Sequence, residues 1–219
     1  MKEEKNTLKN HTKNLTEGSP VRLLLLFSLP LMAGNIFQQL YTIVDTAIVG
    51  KVLGVEALAA LGAVDWLNWL TLGVIQGFTQ GFAILIAQKF GAGEEEPLRH
   101  AVANSILLSV FCGLFITAAG EGAAGFVLDL LGTPDHIYPI GMAYLRVLFA
   151  GLPVVTAYNL CACILRSLGD SRTPLYAMVV ASLVNIALDL LFVMGFGWGV
   201  RGAAAATIIG QLNSVFYCL

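Results

Sequence analysis

Residues 173–196 read TPLYAMVVASLVNIALDLLFVMGF, an unbroken apolar stretch in which Asp189 is the only charged side chain. A helix rising about 1.5 Å per residue needs about 20 apolar residues to cross the hydrocarbon core of a bilayer, so the stretch predicts a transmembrane helix. Five blocks of the same kind accompany it, at about residues 21–49, 57–90, 98–131, 137–168 and 200–219, with short loops of Gly, Pro or charged residues between them. The expected fold is an all-α integral membrane protein, a bundle of six transmembrane helices over residues 21–219 behind a polar segment over residues 1–20. Several blocks are longer than a crossing requires, so their helices must tilt or protrude. Gly120-Glu121-Gly122 interrupts the third block and leaves a second reading of it open, in which the crossing ends there and residues 123–131 lie along the outer interface.

Composition points the same way. Of 219 residues, 57% are hydrophobic and 12% charged, with a mean hydropathy of +0.79, where a soluble globular chain carries about a quarter charged residues. Apolar blocks of helical length exclude a soluble enzyme, a disordered tail and an outer-membrane barrel, whose strands would alternate in short runs. The net charge of -2 and the lack of an aromatic-plus-basic cluster exclude a nucleic-acid partner and leave membrane lipid as the surroundings. The first block is far longer than the roughly 7–15 residues of a signal-peptide core and no small-residue cleavage site follows, so it is expected to remain as the first helix. Two sequons, Asn10-His11-Thr12 and Asn14-Leu15-Thr16, read as chance in a cytoplasmic segment.

The basic residues orient the bundle. Lys2, Lys5, Lys9, Lys13, Arg22, Lys89, Arg99, Arg166 and Arg172 fall on the side of the N-terminus and of alternate loops, and only Lys51 and Arg201 fall opposite. By the positive-inside rule the N-terminus and the loops at residues 90–97 and 168–172 are cytoplasmic, and with an even number of spans the chain is expected to end inside. The loop near residues 120–135 carries Glu121, Asp129 and Asp135 without Lys or Arg, as an outer loop should.

An ionisable side chain near the bilayer centre costs about 2.5–3.5 kcal/mol on insertion scales, so each one calls for a reason. Asp45 lies about six residues before Lys51, and Asp189 about seven before the outer loop at residues 195–199; at about 1.5 Å per residue both sit roughly 10 Å below the outer ends of their helices. Residues at i, i+3, i+4 and i+7 share a helical stripe. The first span offers Asn35, Gln38, Thr42 and Asp45, the fifth Ser182, Asn185 and Asp189, and the sixth Thr207, Gln211 and Ser214. Three oxygen-rich stripes whose outer portions coincide in depth suit a small hard cation or a proton relay. Interhelical hydrogen bonding accounts equally well for Gln38, Gln211 or Ser214 taken singly, but poorly for the Asp45/Asp189 pair.

Other polar positions carry weaker signals. Asp65, beside Trp66, Asn68 and Trp69, reads as part of an interfacial belt. Arg146, about ten residues into the fourth span, either snorkels outward or pairs with an acid. Gly73, Gly77 and Gly81 make two successive small-xxx-small spacings, a helix-packing signal. His11, His100 and His136 flank spans and suggest no ligand set. Cys112, Cys161, Cys163 and Cys218 lie in apolar blocks as small hydrophobes, and Cys161 and Cys163, two apart on a helix, point about 200° from each other and do not converge on a metal. No metalloprotease, serine-hydrolase or phosphate-loop motif and no pair of intramembrane histidines is present, so the chain is not expected to be an enzyme or an ATP-driven pump. Energy for transport would come from an ion gradient.

Several stretches resemble a known family. Ser28-Leu29-Pro30-Leu31, Gln38-Gln39-Leu40, Val44-Asp45-Thr46, Gly91-Ala92-Gly93-Glu94, Leu165-Arg166-Ser167-Leu168-Gly169-Asp170-Ser171-Arg172-Thr173-Pro174, Asn185-Ile186-Ala187-Leu188-Asp189 and Gly202-Ala203-Ala204 through Thr207 are together similar to the N-terminal half of a multidrug and toxic compound extrusion transporter of the bacterial type. The resemblance implies outward antiport of bulky, often cationic organic compounds against sodium or protons, by rocking of two six-helix lobes in a bacterial plasma or inner membrane. It implies that Asp45, Asn185, Asp189 and Thr207 form the cation-responsive site, where sodium could bind, with Tyr144 as a neighbour and Asn35, Gln38, Thr42, Ser182 and Gln211 lining the cavity. No cofactor beyond the coupling ion is implied. Family members have twelve helices, so this chain is expected to be a fragment, a truncated product or half of a pair, lacking the C-terminal six-helix lobe. Two alternatives stand beside the antiporter: a related lipid-linked precursor flippase, which usually carries more cationic cavity residues than the one expected here, Arg146, and a non-transporting remnant.

Overall fold

The computed structural model describes residues 20–219, so the expected polar segment, including both sequons, lies outside the described residues except for Pro20. Every regular element among the described residues is helical: α1 (Pro20–Leu53), α2 (Val55–Gly91), α3 (Glu95–Leu130), α4 (Tyr138–Ala150), α5 (Leu152–Ser167), α6 (Arg172–Asp189) and α7 (Val200–Cys218). A π-helical turn, Leu190–Gly195, continues α6. With α4 and α5 counted as one bent span, these form the six-helix bundle of an all-α membrane protein. On length and apolarity alone α2, α3 and α6 with its extension can each cross a bilayer, and the bent pair passes jointly.

Lipid is as apolar as a protein core, so close approach of backbones rather than expulsion of water selects what lies inside. On α3, Leu107, Phe111 and Phe115 are exposed at every fourth position, while Ala101, Ser105, Ser109 and Gly113 are buried. The small face lets α5 come near: a Cβ on Gly113 would lie 3.3 Å from Thr156 Oγ1. Between α6 and α7 the approach is closer still, since a Cβ on Gly210 would lie 3.1 Å from the Ala181 carbonyl oxygen. α1 joins them where Gly34 faces Leu175 and Met178. α1, α6 and α7 thus meet along small residues, and this contact places the polar stripes together.

One helix decides between readings the sequence left open, and another differs from the sequence reading. The third does not stop at its glycines but runs on to Leu130. Gly120 receives the Phe149 ring, 3.1 Å from where its Cβ would be, and Ala124 and Leu128 are buried with Val64, Leu145 and Phe149. That burial holds the segment in the bundle instead of on the interface. The fourth block is not one rod: α4 and α5 bend by 48° at Gly151. Pro153 has no N–H to offer the carbonyl one turn back, and its ring crowds that carbonyl. The side chain of Ile208 on α7 fills the notch, and a methyl group on Gly151 would run into it.

Gly73, Gly77 and Gly81 have nothing within 4 Å of an added Cβ among the described residues, so the packing expected of them is not made inside this bundle. At the loop between α5 and α6, buried Asp170 accepts the backbone N–H groups of Arg172 at 2.9 Å and Thr173 at 3.1 Å on Oδ1, and the Thr173 hydroxyl at 2.6 Å on Oδ2. These bonds satisfy donors that a helix start leaves free. Ser167 donates to the Ala83 carbonyl at 2.9 Å and ties the end of α5 to α2.

Candidate functional site

The depth argument requires Asp45 and Asp189 to share a level, and the contact of α1 with α6 brings them side by side, their carboxyl groups within hydrogen-bonding reach of each other. Asp189 is 0% exposed, Asn185 is 3% exposed, and Asp45 is half-buried. Neighbouring groups fix which way the Asn185 amide points: its nitrogen donates to Asp189 Oδ2 at 3.1 Å and its oxygen accepts the Thr207 backbone N–H at 3.1 Å. The reverse orientation would set an amide oxygen against a carboxylate. The Thr207 hydroxyl donates to the Ala203 carbonyl at 3.1 Å. Asp45, Asn185, Asp189 and Thr207 therefore form one cluster drawn from α1, α6 and α7.

Two oxygens in this cluster lack partners. Asp45 Oδ1 and Asp189 Oδ1 are buried and accept no hydrogen bond. Ionised carboxylates only accept, so a bond between two carboxyl groups requires a proton held between them. Buried oxygens without donors are equally the groups that a small hard cation takes as ligands. Chemically, such oxygens suit a proton or a sodium-sized ion. The π-helical turn begins immediately after Asp189, and such turns recur where a helix is adapted around a working side chain. Tyr144 packs where two apolar clusters meet, beside this level of α1 and α2, and does not line the cavity expected of it.

A cavity of about 390 Å³ opens against the cluster, with Asn185 and Thr207 in its wall. Asn35, Gln38, Ser182 and Gln211 also line it, as their stripes predict. Thr42 does not: its side chain is exposed and donates to the Gln38 carbonyl at 2.9 Å. Sequence reasoning missed Tyr41 on α1, Gln76 and Gln80 on α2, and Tyr158, Asn159 and Arg166 on α5. A signal existed on α2, where Asn68, Leu72, Gln76 and Gln80 recur every fourth residue and all line the cavity. Asn68 therefore belongs to the cavity, while Asp65, read as a belt residue, and its neighbours Trp66 and Trp69 are exposed. Arg146 is corrected as well. It is exposed on α4, and the cation in the cavity wall is Arg166.

Comparison with known proteins gives concordant results. A profile of the MatE family matches residues 30–191. The probable multidrug resistance protein YoeA of Bacillus subtilis is 33% identical over 205 residues, which are 92% of this chain and 44% of that protein. The probable multidrug resistance protein YpnP of the same organism is 33% identical over 94% of this chain and 47% of its own length. A solved structure described as MATE in the bent conformation superposes with a TM-score of 0.85 at 31% identity, over 92% of this chain and 45% of that one. The chain spans about half the length of the curated relatives it matches.

Proposed function

The chain belongs to the MatE family, and on that premise we propose that it supplies one lobe of a secondary antiporter that exports organic, often cationic, drugs or toxic compounds in exchange for sodium or protons. Its relatives include probable multidrug resistance proteins and a solved multidrug resistance MATE family transporter, which supports a transport role. The observation that carries the coupling is the Asp45/Asp189 pair: a half-buried and a buried carboxyl group, each with a buried unpartnered oxygen, next to Asn185 and Thr207 of the cavity wall.

In this reading the ion is cargo. A proton or sodium ion taken up between the carboxyl groups neutralises the pair, and Asn185, which bonds both Asp189 and the Thr207 backbone, carries the change to the cavity wall. Coupling then requires that ion and drug each bind better to a different state of the lobe. Alternating access in such folds comes largely from one repeat moving against another around a site between them. Asn35, Gln38 and Gln39 are exposed on α1, where water or a second six-helix lobe suits them better than lipid. We place the lobe in a bacterial plasma membrane with its N-terminal side cytoplasmic, from the basic-residue asymmetry.

The test is Asp189→Asn in a complete transporter containing this lobe. An amide cannot alternate between ion-bound and free states, so gradient-driven export should be lost while the protein still inserts and folds. Unchanged export by the Asn variant would return Asp189 to a purely structural part.

A further inference from the structure

Arg166, half-buried, is the only charged side chain among those lining the cavity, and it has no carboxylate partner among the described residues. It carries five N–H donors in a fixed fork, yet its one side-chain hydrogen bond is to the Cys163 sulfur at 3.4 Å. No carboxylate among the described residues forms an ion pair with it. Asp170, four residues on, directs both its oxygens to the start of α6. Asp45 and Asp189 are not in the cavity wall.

The rest of the wall is neutral and rich in hydrogen-bonding groups. Eight carboxamides line the cavity, and one of them, Gln211, has its Oε1 buried with no donor to accept from. Carboxamides offer both donors and acceptors, so they match a polyfunctional polar ligand. A guanidinium fork matches a carboxylate or phosphate bidentately.

We propose that the Arg166 end of the cavity is a subsite for an anionic group on the transported compound, so that this lobe prefers substrates bearing a carboxylate or phosphate, alone or beside a cationic centre. The inference rests on the cavity being the substrate site of the proposed transporter. It adds a polarity to that site: a zwitterion satisfies Arg166 through its anion and keeps its cationic part for elsewhere in the cavity, whereas a simple cation leaves the guanidinium unmatched.

Rhodamine 110 and rhodamine 123 test this directly, because they share the xanthylium ring and differ in a free carboxylate against its methyl ester. Binding of each is measured by fluorescence anisotropy to a complete transporter containing this lobe, in nanodiscs of phosphatidylcholine alone, so that no anionic lipid headgroup competes. One charge-assisted contact predicts roughly tenfold tighter binding of rhodamine 110. Arg166→Gln should bring the two dyes within about twofold of each other, and Arg166→Lys, which keeps the charge but not the fork, should retain part of the preference. Equal binding of both dyes by the unaltered chain overturns the anionic subsite while the cavity stands as a substrate site, as does a preference that survives in Arg166→Gln. Binding of neither dye overturns the substrate-site reading itself, and the subsite with it.

Discussion

Gly210 sits where α6 and α7 come closest, and replacing it by alanine perturbs both packing and the ion site in a calculable way. The added Cβ would lie 3.1 Å from the Ala181 carbonyl oxygen and 3.3 Å from Asn185 Cβ. The first neighbour is backbone and cannot rotate aside, and non-bonded carbon contacts settle at about 3.5–4.0 Å, so the helices must separate by roughly 0.3–0.5 Å. Overpacking of this kind costs about 1–3 kcal/mol, offset by the about 0.5–1 kcal/mol that alanine gains over glycine inside a helix. A net loss of up to about 2.5 kcal/mol follows. The same movement stretches the 3.1 Å bond from the Thr207 N–H to Asn185, and at about 3.5 Å little of it remains. Gly77→Ala is the matched control, because nothing lies within 4 Å of its added Cβ; it should be neutral or stabilising by up to about 1 kcal/mol. Reversible unfolding of both variants in the same nanodiscs, with and without sodium, measures the difference. Gly210→Ala should be the less stable by about 1–3 kcal/mol and should lose any sodium-dependent stabilisation. Equal stability of the two variants, with the sodium response intact, would refute the claim that this close approach builds the site.

Two further substitutions probe the scaffold. Phe149 is 1% exposed and its ring covers Gly120, so Phe149→Ala should destabilise the lobe by about 3–5 kcal/mol, read from the same unfolding curves, and loosen the C-terminal part of α3 to proteolysis. Asp170→Ala removes the acceptor for the Arg172 and Thr173 N–H groups and should cost about 1–2 kcal/mol, with the earliest hydrogen exchange appearing at the start of α6.

Sequence alone determined the number and approximate length of the spans, because crossing a bilayer is a property of consecutive residues. It also placed Asp45 and Asp189 at one depth, because helical rise is fixed and the loops mark the helix ends. The stripes holding Asn185, Thr207 and Gln211 were legible for the same reason, while Thr42, at the edge of its stripe, turned away from the cavity. What tertiary structure decided was azimuth. In lipid the outward face of a helix is as apolar as the inward one, so composition says little about which side of α2 or α5 faces the cavity or whether Arg146 or Arg166 enters it. The bend at Gly151 depends on Pro153 within the helix but also on Ile208 more than fifty residues away filling the notch, and the continuity of α3 past Gly120 depends on the Phe149 ring. Those facts belong to contacts between helices, and a helix's own sequence carries no record of which neighbour it will meet.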